Sequence, residues 1–123
     1  MVLAGIGCDD DEMDIEWITK KLVNLRIFED EDGKMNRSVL DIGGEIMLVS
    51  QFTLFASTKK GNRPGFSQAA PPAVAIPLYE KIIGSVERLS GKKPVCGEFG
   101  ADMKVSLINN GPVTIIIDSK NQQ

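Results

Sequence analysis

Glu45-Ile46-Met47-Leu48-Val49-Ser50-Gln51-Phe52-Thr53-Leu54-Phe55 is the stretch on which the fold turns. At a strand's period of two, Ile46, Leu48, Ser50, Phe52 and Leu54 share one face. Met47, Val49, Gln51, Thr53 and Phe55 share the other. Both faces are apolar over the first half, so the strand is expected at the centre of a sheet, covered on both sides. Ser50 and Gln51 interrupt that run, and buried polar groups of this kind need partners or a purpose.

Working outward toward the N-terminus, Met1-Val2-Leu3-Ala4-Gly5-Ile6-Gly7 begins at once in an apolar, strand-like run. Asp9-Asp10-Asp11-Glu12 follows as a candidate helix start, where negative charge is favoured beside unpaired N–H groups. The run also has the composition of a metal site, but it lacks a second ligand cluster nearby. Ile15, Ile18, Leu22 and Leu25 recur at helical spacing behind it. Leu25-Arg26-Ile27-Phe28 then reads as a short strand, stopped by the turn-rich Glu29-Asp30-Glu31-Asp32-Gly33.

Toward the C-terminus, residues 56–72 form a long loop carrying Lys59, Lys60, Gly61, Arg63, Pro64 and Phe66. Leu78, Ile82, Val86 and Leu89 predict a core-facing helix, with Pro77 near its start and Gly91 and Pro94 ending it. Residues 101–108 alternate again through Met103, Val105 and Leu107. Asn109-Asn110-Gly111-Pro112 breaks that run, and Val113-Thr114-Ile115-Ile116-Ile117 predicts a last strand. No linker or internal repeat divides residues 1–123, so one mixed α/β domain is expected.

Composition restricts the chemistry. The chain of 123 residues has no histidine, which excludes a Ser-His-Asp or Cys-His pair and any imidazole-dependent zinc site. A net charge of -3 argues against indiscriminate polyanion binding. Cys8 and Cys96 are too few for a secreted disulfide framework, which favours a reduced, intracellular chain. No apolar run reaches the span of about 20 residues that a membrane helix needs.

Three segments are candidates for chemistry, each with two readings. Ser50 and Thr53 are either strand hydroxyls bonded to neighbouring backbone, or flank free N–H groups that form an oxyanion hole. Gly111-Pro112 is either a hairpin turn or a cis peptide whose carbonyls face the same way, an acceptor pair for an ammonium group. Lys59, Lys60 and Arg63 with Phe66 are either a solvated loop or a phosphate contact beside a stacking ring.

Taken in order, Leu25-Arg26-Ile27-Phe28, Gly44-Glu45, Ser50-Gln51-Phe52-Thr53-Leu54, Lys60-Gly61-Asn62-Arg63-Pro64 with Phe66, Phe99-Gly100-Ala101-Asp102-Met103 and Asn109-Asn110-Gly111-Pro112-Val113-Thr114 closely resemble the D-aminoacyl-tRNA deacylase family. The resemblance runs from residue 1 almost to the end. It implies mixed β-sheets with helices packed on one side, in three layers β/β/α. It also implies a further strand and hairpin ahead of the segment matching residues 1–7, which this chain lacks. Gly65 departs from the serine or aspartate usual there.

The implied activity is hydrolysis of the ester joining a D-amino acid, or glycine on the wrong tRNA, to the terminal adenosine. The alternative is a tRNA-end binding module without turnover. In the implied site, Ser50, Gln51, Phe52 and Thr53 form the catalytic floor, with the N–H groups of Phe52 and Thr53 polarising the ester. Phe66, Ala101 and Met103 enclose the adenosine. Gly111 and Pro112, joined by a cis bond, reach across a homodimer to hold the α-amino group. No side-chain nucleophile, cofactor or metal is implied, the ribose 2′-hydroxyl helping to activate water. The implied partner is aminoacyl-tRNA, not DNA or a membrane, and the implied compartment is the cytoplasm.

Overall fold

A computed structural model describes residues 1–122. Its architecture is mixed α/β. Strands β1 (Val2–Ala4), β4 (Met47–Ser50) and β5 (Val95–Cys96) form a parallel sheet in the order β1-β4-β5. Strands β2 (Phe28–Glu29) and β3 (Met35–Arg37) form a separate antiparallel ribbon. Helices α1 (Glu12–Asn24) and α2 (Pro72–Ser90) complete the elements.

The central strand is where its two apolar faces place it, with Leu48 and Val49 both buried. It is shorter than expected, however. It stops at Ser50, and Phe52–Phe55 form a single 3-10 turn. The cause lies in β1's exit. A Cβ on Gly5 would come within 2.9 Å of the Phe55 ring, and one on Gly7 within 3.2 Å. The two glycines thus leave a seat for Phe55, and turning the chain at Ser50 fills it.

Asp11 caps α1. Its carboxylate accepts the N–H groups of Met13 and Asp14, while the Asp14 carboxylate accepts the Asp11 N–H in return. The acidic run is therefore a helix start. The buried face of α1 is Ile15, Thr19 and Val23, whereas Ile18, Leu22 and Leu25 are only half-buried. The slip follows from a polar pair that apolar periodicity does not register: Thr19 Oγ1 lies 2.8 Å from Ser85 Oγ on α2. In α2 the buried residues are Ala75, Tyr79, Ile82, Ser85 and Val86, with Leu78 and Leu89 half-buried. Because α2 begins at Pro72, Pro77 lies inside the helix rather than near its start. Gly91, at φ 75°, supplies the left-handed C-terminal cap. Leu48, Ile15, Tyr79, Ile82 and Val86 meet in the core between sheet and helices.

Three expectations are corrected. The short strand expected at residues 25–28 is reduced to Phe28–Glu29, paired with Met35–Arg37 across the turn at Gly33. Residues 101–108 and 113–117 are not strands. They alternate as strands do, but residues 102–117 make no backbone–backbone hydrogen bond among the described residues. A ladder needs a partner edge, and without one the alternation has nothing to pair with. The Gly111–Pro112 bond is trans, there being no cis peptide among the described residues. Nothing packs against that exposed turn to offset the ordinary trans preference.

Candidate functional site

The C-terminal end of β4 opens into a cleft of about 410 Å³, lined by Leu3 of β1, Val49 of β4, residues 99–103 and Val105. Of the expected site residues, Ser50, Gln51, Phe52, Ala101 and Met103 line it together. Phe66 sits beside them, its ring edge-on to Phe52 at 5.1 Å between centroids. The loop before α2 delivers that ring. Ser57 and Gly65 exchange backbone hydrogen bonds of 2.8 and 2.9 Å, closing a hairpin that holds Lys59, Lys60 and Arg63 at its exposed tip.

Gly111 and Pro112 do not join the cleft of their own chain; both are exposed. Sequence reasoning quoted Phe99 without giving it a role. It lines the cleft and packs against Tyr79 at 5.5 Å, linking the cleft to the core. Tyr79 in turn donates to the Leu48 carbonyl at 3.2 Å, and burial pushes its hydroxyl above the ordinary tyrosine range. Leu3 and Val105 also line the cleft; Val105 shares the alternation of Met103, while Leu3 lay in an apolar run that gave no sign of the site.

The polar atoms at the mouth decide what the cleft can do. Gln51 Nε2 donates to Thr53 Oγ1, and the Gly100 N–H donates to Ser50 Oγ at 3.4 Å. Both hydroxyls are therefore held as acceptors. Asp102 is the one carboxylate among the described lining residues, and its side chain is 95% exposed, 3.9 Å from the Lys104 ammonium. Nothing here has the geometry of a general base on a nucleophilic hydroxyl.

The backbone offers more. At the entry to a 3-10 turn the first N–H groups have no acceptor within the turn. The Gln51 N–H is taken by the Ala4 carbonyl at 2.7 Å, and the Leu54 N–H by the Gln51 carbonyl at 3.2 Å. Between them, the N–H groups of Phe52 and Thr53 find no protein acceptor among the described residues, and no side chain caps the turn. Phe52 lines the apolar cleft, whereas Thr53, the next residue, does not; together they supply two adjacent donors without a protein acceptor, the composition an oxyanion hole requires.

The fold is that of a mixed α/β protein with an apolar cleft at the end of its central strand. Residues 1–118 match the family described as D-Tyr-tRNA(Tyr) deacylase, and the chain belongs to this D-aminoacyl-tRNA deacylase family. It is 61% identical to the D-aminoacyl-tRNA deacylase of Cytophaga hutchinsonii over 123 residues, all of this chain and 82% of that one. It is 58% identical to that of Parabacteroides distasonis over the same shares.

Among solved structures, a c-Myc DNA unwinding element binding protein superposes with a TM-score of 0.85 at 41% identity, covering 92% of this chain and 76% of that one. A probable eukaryotic D-amino acid tRNA deacylase shares the fold, with a TM-score of 0.68 at 18% identity over 83% of this chain and 75% of that one. No helix among the described residues is long and apolar enough to cross a membrane.

Proposed function

We propose that the cleft hydrolyses the ester of D-aminoacyl-tRNA, and of glycine carried by the wrong tRNA, in the cytoplasm. The observation that carries this reading is the pair of unused N–H groups at Phe52 and Thr53. They polarise the ester carbonyl and stabilise the oxyanion as water adds to its carbon. The bond to the ribose oxygen then breaks, releasing the amino acid and a free tRNA end. The substrate's own 2′-hydroxyl helps to activate that water, so the chain needs no imidazole. Phe66, Ala101 and Met103 enclose the adenosine, and Lys59, Lys60 and Arg63 meet backbone phosphates.

The site is completed in a homodimer. A second copy brings Gly111 and Pro112 to the mouth beside the substrate's α-amino group, where their backbone crowds an L side chain. With the bond between them trans, this selection rests on the position of the turn and not on a pair of carbonyls facing the same way. The exposure of Gly111 and Pro112 in the single chain supports this, since they are free to serve a neighbour.

Release of amino acid from D- and L-charged tRNA tests the reading. The protein frees the D form and spares the L form; equal loss of both, or of neither, overturns it. Thr53→Ala retains substantial activity if the donor is the backbone. Duplex DNA is included as competitor because a structurally similar protein is described as DNA-binding. It is expected not to slow hydrolysis.

A further inference from the structure

Residues 104–117 lead from the cleft to Gly111–Pro112 and back without a backbone–backbone hydrogen bond among the described residues. Such a segment is placed by its two ends. At the near end, Met103 packs so closely on Gly97 that a Cβ there would lie 2.6 Å from the sulfur. At the far end, Lys120 reaches back across the molecule to the start of α1. Its Nζ donates to Asp14 Oδ2 at 2.8 Å and to the Asp9 carbonyl at 3.0 Å. The tail is shaped for that reach, with the Lys120 N–H bound to Asp118 Oδ1 at 2.9 Å and the Asn121 N–H to the Asp118 carbonyl at 3.2 Å.

A cation at a helix N-terminus opposes the helix dipole, so Lys120 is held there by its specific acceptors. Asp14 Oδ2 also accepts the Asp11 N–H at 2.9 Å, which ties the tail directly into the cap of α1. The Asp14 side chain is only 12% exposed in consequence. The neighbouring Lys81–Glu12 ion pair joins the same helix end to α2 and does not touch the tail.

We propose that Lys120 is a positioning residue, a clasp between the C-terminal tail and the start of α1 that sets where the Gly111–Pro112 turn lies. The proposal rests on the reading of that turn as the chiral selector. Anchored at both ends, residues 104–117 present Gly111–Pro112 at a set height; released at Lys120, the tail keeps only the Ser119 contact with Asp14, and the segment loosens from its far end.

The test compares the full chain with Lys120→Ala, Lys120→Arg and Lys81→Ala. Two quantities are read: backbone order parameters of residues 104–117 by 15N relaxation, and the ratio of kcat/KM for D- over L-aminoacyl-tRNA. The order parameters of residues 104–117 are expected to fall in Lys120→Ala below those of the unaltered chain. The D-over-L ratio falls by about tenfold, since even small misplacements of positioning groups are costly. Lys120→Arg keeps both near their original values, and Lys81→Ala moves neither. Unchanged order parameters in Lys120→Ala overturn the clasp, and so does a loosened segment with an unchanged ratio. A parallel loss in Lys81→Ala also overturns it, by showing a general effect of the helix end. If the unaltered protein fails to discriminate, the functional reading falls, and the order parameters alone decide the clasp.

Discussion

Replacing Phe52 by proline deletes one of the two free donors while leaving the turn able to form. Proline lacks the N–H, and the Phe52 N–H has no protein acceptor among the described residues, so no internal hydrogen bond is lost. Residue 52 is the first of the 3-10 turn, where a fixed φ is tolerated. The preceding Gln51 is non-helical, at φ -146° and ψ 80°, and so avoids the conformation that a following proline penalises. Loss of the ring is controlled by Phe52→Ala, which removes the edge-on contact with Phe66. That contact is worth about 0.5–1.5 kcal/mol, up to roughly tenfold in rate or affinity. Removing an oxyanion donor costs about 2.7–4 kcal/mol, roughly 100- to 1,000-fold in the chemical step. Single-turnover hydrolysis of D-aminoacyl-tRNA at saturating enzyme isolates that step, and thermal melting checks the fold. Phe52→Pro is expected to fall at least about 100-fold below Phe52→Ala. A Phe52→Pro enzyme that melts normally and hydrolyses within about threefold of Phe52→Ala refutes the backbone-donor mechanism.

Other predictions concern the frame around the site. Thr19 is 0% exposed and its hydroxyl bridges to Ser85, so Thr19→Val lowers stability by about 1–2 kcal/mol. A lower urea midpoint with unchanged slope shows this, and an unmoved midpoint refutes the pair. Gly97→Ala places a Cβ 2.6 Å from Met103 Sδ and costs about 1–3 kcal/mol, with Met103→Ala relieving most of it in the double variant. Additive losses in that double-mutant cycle refute the contact. Burial pushes the Asp14 carboxyl up, but hydrogen bonds from Lys120, the Asp11 N–H and Ser119, with the Lys120 charge, outweigh it and bring it down to about 2. A folded-state value below the unfolded one stabilises above pH ~4 and is lost as pH falls toward 2. Because Lys120 remains 42% exposed, the effect is discounted to about 1 kcal/mol. The stability gap between the unaltered chain and Lys120→Ala therefore narrows from pH 5 to pH 2, and a constant gap contradicts this.

Much of the frame is written plainly in the residues. Apolar character on both faces around Leu48 and Val49 marks the central strand, and the acidic run with its capping geometry marks where α1 begins. The helix faces were harder to place. Thr19 and Ser85 satisfy each other in the core, and a polar pair that solves its own burial problem leaves no trace in hydrophobic spacing. Residues 101–117 mislead for the opposite reason. Their alternation is genuine, but a strand is a property of two edges, and a period of two specifies only one of them.

The site itself was legible as an ordered set of segments, and its chemistry only as one of two open readings. Side-chain identity alone does not mark the donors proposed at Phe52 and Thr53, because they belong to the backbone every residue has. Side chains enter one step earlier. Gly5 and Gly7 leave room for Phe55; Phe55 draws the chain out of the sheet after Ser50; and a strand that ends there releases the next two N–H groups from any ladder. The residues that make the donors available are thus two glycines and a phenylalanine that need never touch substrate. Their action through packing also explains why Phe52-Thr53-Leu54 reads as strand in isolation and becomes a turn in the fold, while Ser50 still ends the strand.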